Sequence, residues 1–140
     1  MKQPLILLAA TVLVFLALNH TLDYQDSYEI GYGAFTLMAA MISLTFLWLW
    51  ARRATPLAMG MFFGWGGAAS IMGWWWIFQI LHQPPWMTEN PLLLGLLSIY
   101  FVGAILHFQV IGRSFGLSER VFIVPVAGSV LVSVLALFFL

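Results

Sequence analysis

The sequence predicts an all-α fold, a polytopic transmembrane helix bundle of about five spans, with its N-terminus cytoplasmic and its C-terminus outside. Three observations carry this expectation. The composition is 63% hydrophobic and 7% charged, where a soluble domain carries about 25% charge. The 140 residues leave room for roughly five spans of about 20 residues each, joined by short loops. The five basic side chains, Lys2, Arg52, Arg53, Arg113 and Arg120, all fall on one side when the apolar stretches are threaded back and forth. Excess Lys and Arg marks the cytoplasmic side. Residues 1–140 therefore read as a single integral membrane domain with spans at about 4–20, 30–50, 57–82, 91–111 and 121–140.

The first span follows Lys2 and resembles the start of a signal peptide. Its end, Leu16-Ala17-Leu18-Asn19, offers no small-x-small cleavage pattern, so it reads as a retained helix. The loop His20 to Glu29 is acidic, with Asp23, Asp26 and Glu29, and falls outside. The second span stops at Arg52-Arg53, behind Trp48 and Trp50, whose amphipathic rings suit the headgroup level. Pro56 separates it from the third span, because proline cannot extend a helix N-terminally and restricts Thr55. Pro84-Pro85 ends the third span and Trp86 marks the outer interface. Pro91 suits the first turn of the fourth span. Gly112 to Arg120 forms a cytoplasmic turn, and the fifth span runs from there to the outer side.

In lipid, helices associate through small residues that let backbones approach. Gly60, Gly64 and Ala68 recur every four residues in the third span, and Gly66, Ser70 and Gly73 form a second row around the same helix. This places the third span at the centre of the bundle. Gly95, Ile99, Gly103 and His107 repeat every four residues in the fourth, which turns His107 towards protein. Gly33, Ala40 and Ser43 serve the second span, and Gly128, Ser129, Ser133 and Ala136 the fifth.

Intramembrane ionisable residues are the usual markers of ion paths and proton relays, and none of the five spans holds Asp, Glu, Lys or Arg. This argues against a carboxylate-coupled antiporter, a proton pump or a voltage sensor. The small multidrug transporters need an acidic residue in the first helix, where this chain offers only Thr11. Cysteine is absent, which removes disulfide and thiol chemistry. Zero formal net charge gives no pull towards nucleic acid.

The candidate ligand or partner contacts are His107, Trp74, Trp75, Trp76 and Gln79. His107 lies roughly 7 Å inside the cytoplasmic end of its helix at about 1.5 Å per residue. It suits an axial haem ligand, a quinone hydrogen-bond partner or a proton-transfer group; the competing reading is a neutral ring bonded to a backbone carbonyl or a Ser/Thr hydroxyl on an adjacent helix. Three successive tryptophans point about 100° apart and cannot share one groove, though one or two with Gln79 could line a pocket for a lipid tail, quinone or pigment. His82 sits at the outer end of the third span, about 24 Å from the depth of His107, so one haem cannot take both. His20 and His82, with the outer acids, make only weak candidates for a metal site, and no metal site is expected. No motif indicates a cofactor.

The span count and the seven tryptophans resemble the tryptophan-rich sensory proteins. Their proline–tryptophan motifs fall between the first helices, whereas here Gln83-Pro84-Pro85-Trp86 follows the third span. The chain is therefore not assigned to them. The leading expectation is a small non-enzymatic membrane protein, an accessory or assembly subunit of a larger complex in the bacterial plasma (inner) membrane. Its partners would be the bilayer and other membrane proteins or further copies of itself. One alternative is a small oligomeric transporter, channel or lipid flippase, with a path lined by Ser43, Thr45, Ser70, Gln79, His107 and Ser133. The other is a haem- or quinone-binding subunit built on His107 and the tryptophans.

Overall fold

The computed structural model describes residues 3–116, 118 and 123–139. Over these residues the chain is helical and contains no strand. In chain order the elements are α1 (Gln3–Thr21), α2 (Tyr24–Arg53), α3 (Pro56–Ile80), the one-turn α4 (Pro85–Thr88), α5 (Leu92–Ser114) and α6 (Ile123–Phe139). Lys2 and Arg120 lie outside the described residues.

The local reasons for these boundaries are plain in the sequence. Asp23 precedes α2 in an extended conformation, Asp26 sits in the first turn and Arg52 and Arg53 in the last, so charge complements the helix dipole at both ends. Ala54 closes α2 in the left-handed region, and its N–H donates to the Trp50 carbonyl at 2.6 Å. Pro56 occupies the first turn of α3, where its missing N–H costs nothing. The chain leaves α3 through His82 and Gln83, both at positive φ. The Asn90 side chain accepts a hydrogen bond from the Leu92 N–H at 3.0 Å and so caps the start of α5.

Helix α3 is the centre of the packing, with α2 on one side and α5 on the other. The two rows of small residues divide between these neighbours. The row of Gly66 and Gly73 faces α2: a Cβ at Gly66 would lie 2.9 Å from Ser43 Oγ, and one at Gly73 would lie 3.1 Å from Thr36 Cγ2. The row of Gly60 and Gly64 faces α5, against Leu106 and His107. The helices touch backbone to backbone where Gly103 meets Gly64, and a Cβ on Gly67 would come within 2.5 Å of the Tyr100 backbone. As residue numbers rise along α3 they fall along both neighbours, so both pairs are antiparallel. The buried apolar side chains are correspondingly few and mostly small: Ala39, Ala58, Ala69 and Met87. Close backbone approach, with its dispersion contacts, replaces a core of large side chains.

Four expectations change here. The acidic segment before residue 30 is not a loop but the first turns of α2, because acids near a helix N-terminus meet its positive dipole end. The third span ends at Ile80, and the extra turn α4 folds its Met87 under α3. Gly33 and Ser43 of α2 are buried, but the buried alanine beside them is Ala39 rather than Ala40. Gly95 faces open space: it lies eight residues, about 12 Å, from the Gly103 crossing, beyond the close approach.

Three stretches are long and apolar enough to cross a membrane: α1, α2 and the run Pro85–Ser114. Helix α3, 25 residues long and apolar, is not among them. Helix α6 is apolar and, over the described residues, shorter. Helix α1 packs only lightly, against α2, and α6 makes no extensive contact with another helix among the described residues. The antiparallel order collects Arg52, Arg53 and Arg113 at one end of the bundle and Asp23, Asp26, Glu29 and Glu89 at the other.

Candidate functional site

Helix α5 carries His107 one turn beyond the glycine crossing, and the small residues opposite create the room for its ring. A Cβ at Gly64 would lie 3.3 Å from the ring carbon Cε1, and one at Gly60 would lie 3.6 Å from Nδ1. The ring is held from its own helix: Nδ1 lies 2.8 Å from the Gly103 carbonyl oxygen. A carbonyl can only accept, so this bond assigns the ring proton to Nδ1. The other nitrogen, Nε2, faces the thioether of Met61 on α3, with Nε2 and Sδ 2.9 Å apart.

The ring borders a cleft of about 460 Å³ between α2, α3 and α5, within the range of small-molecule sites. Phe35, Trp65, Tyr100 and Phe108 supply aromatic walls, and Gly64, Ala68 and Ala104 supply the space. His107 is the only group in it with a nitrogen lone pair free of the backbone. Of these residues, Tyr100 was readable from the sequence, seven positions before His107 and on the same face. Met61 was not, because a thioether follows no spacing rule.

A second cleft, about 630 Å³, opens where α1 splays from α2. Tyr24, Tyr28 and Tyr32 form a ladder along it, with the Tyr28 and Tyr32 rings stacked at 4.0 Å. Ser27 lines the same cleft; its hydroxyl is buried and has no partner.

The three tryptophans go three ways. Trp74 donates its indole N–H to the Met87 carbonyl at 3.2 Å and meets Trp86 edge-on at 6.2 Å. Trp75 packs edge-on against Phe78 of its own helix. Trp76 lies over Gly33 of α2, where a Cβ would approach it to 2.7 Å. None of the three lines either cleft. Gln79 is the hub of a polar patch at the acidic end, accepting from Gln25 and Gln83 at 3.0 Å each, while Gln25 also donates to Glu29.

The hydroxyls of the candidate transport path are turned to backbone instead. Ser43 donates across to the Phe62 carbonyl; Thr45, Ser70 and Ser133 donate to carbonyls of their own helices. Only His107 of that set borders a cleft. His20 and His82 do not gather with the outer acids, and among the described residues no group of three or more His, Cys, Asp or Glu assembles as a metal site. In comparison with known proteins, no family model, no curated protein and no solved structure matches the chain.

Proposed function

We propose that this chain is a non-enzymatic integral membrane subunit that helps build or hold a larger membrane complex. The observation that carries the proposal is α6. It exposes Gly128, Ser129 and Ser133, with open space where a Gly128 side chain would lie. Small residues are what lets helices associate in lipid, and here they pack extensively on no other helix among the described residues. Helix α1, also apolar, packs only lightly among the described residues, chiefly against α2. The natural cover for both is a helix of another protein or of a second copy.

On this reading the chain crosses the bilayer about five times, N-terminus cytoplasmic and C-terminus outside, in a bacterial inner membrane. The collection of three arginines at one end and four acids at the other supports that orientation through the positive-inside rule. The packing of α3 between two apolar helices supports counting it as a span. The test is purification in mild detergent followed by native mass spectrometry. A stoichiometric partner protein is expected, and a lone monomer, stable and monodisperse, would count against the proposal.

A second reading, a haem- or quinone-binding subunit, is favoured by one observation, the Nε2 of His107 turned away from the backbone in an aromatic-walled cleft. A purified protein with no Soret absorbance would remove its haem form.

A further inference from the structure

The contact between His107 and Met61 has the distance of a bond but no hydrogen to make one. With the ring proton on Nδ1, bonded to the Gly103 carbonyl, Nε2 presents a lone pair. The thioether sulfur of Met61, 2.9 Å away, likewise carries only lone pairs and can only accept. Two electron-pair donors brought together in this way suit a shared electron-pair acceptor.

We infer that His107 Nε2 and Met61 Sδ form a binding site for a soft monovalent metal ion, Cu(I). The donor set chooses the ion. Imidazole and thioether are neutral, and thioether sulfur selects Cu(I) over harder cations. With no carboxylate or thiolate available, a dication such as Zn(II) would keep its full charge among apolar helices, whereas Cu(I) brings half of it. The geometry is accessible: atoms 2.9 Å apart subtend roughly a right angle at an ion about 2.0 Å from nitrogen and about 2.3 Å from sulfur, ordinary first-row distances. The Nδ1 bond to a backbone carbonyl is the usual second contact of a metal-binding histidine, fixing tautomer and ring orientation. The cleft leaves the far side of the ion open, so a further donor can enter and leave.

This site is independent of the subunit proposal and is tested on the full-length protein alone. Protein in detergent, under anaerobic ascorbate, is titrated with Cu(I) in competition with bicinchoninate. Other methionines can bind weakly, so the readout is the difference between variants. His107→Gln and Met61→Leu are each expected to remove one equivalent, or to weaken it at least tenfold, while His82→Gln leaves it in place. X-ray absorption of the loaded protein should show one sulfur neighbour, lost in Met61→Leu. Met61→Leu conserves volume and keeps the fold, so it decides the matter even if His107→Gln is unstable. Wild-type binding by Met61→Leu overturns the assignment, as does the absence of tight Cu(I) binding in the parent. Stoichiometric haem that is lost in His107→Gln overturns it too.

Discussion

Ala54 closes α2 at φ 48° and ψ 35°, a left-handed conformation that suits glycine and strains any residue with a Cβ. Ala54→Gly should relieve that strain while keeping the cap bond to Trp50. The gain is up to about 1 kcal/mol, reduced by the greater freedom of glycine in the unfolded chain. Thermal unfolding in detergent should show a higher midpoint; a lower one would mean the cap is not strained. At this scale legibility was uneven. The stripe from Gly103 to His107 was readable because four-residue spacing is a geometric property of the helix. The partner of the ring, Met61, was not, because its position depends on how α3 and α5 are registered.

Helix α3 shows how two faces of small residues select two neighbours. The Gly60 and Gly64 row admits α5, and the Gly66 and Gly73 row admits α2. Gly103→Ala should destabilise the bundle by about 1–3 kcal/mol, because its methyl would enter the Gly64 backbone. Gly95→Ala should be neutral or stabilise by up to about 1 kcal/mol, since it faces open space and alanine is the better helix former. Equal unfolding midpoints for the two variants would refute the crossing described. Gly64→Leu should destabilise as well, and it should push the His107 ring out of its cleft. Both rows were legible from spacing alone. The start of α2 was not, because Asp26 and Glu29 read as loop by polarity yet are favoured near a helix N-terminus.

At the scale of the whole molecule, the described residues separate their charges, with Arg52, Arg53 and Arg113 at one end and Asp23, Asp26, Glu29 and Glu89 at the other. If that asymmetry sets orientation, Arg52→Glu with Arg53→Glu should disturb it. The chain contains no cysteine, so single cysteines placed at Ala54 and Gln83 report on opposite sides without background. The double variant should lose the asymmetry of labelling in intact cells; an unchanged pattern would refute the orientation. The membrane character of the chain was legible from composition, which is a bulk property. What covers α1 and α6 was not, because surface facing lipid and surface facing a partner helix are equally apolar.

The glycines that let α3 nest between α2 and α5 also make its seat depend on both of them. A helix that meets its neighbours backbone to backbone loses those contacts when either neighbour is missing. On the five-span reading, the seating of α3 is therefore a cooperative event of biogenesis. Helix α2 offers the first face, and the arrival of α5 seals the backbone contact at Gly64 and Gly103. A chain cut after α3 should leave that helix more open to protease than the full chain does. The order in which the ribosome delivers the helices is then part of how this bundle is assembled.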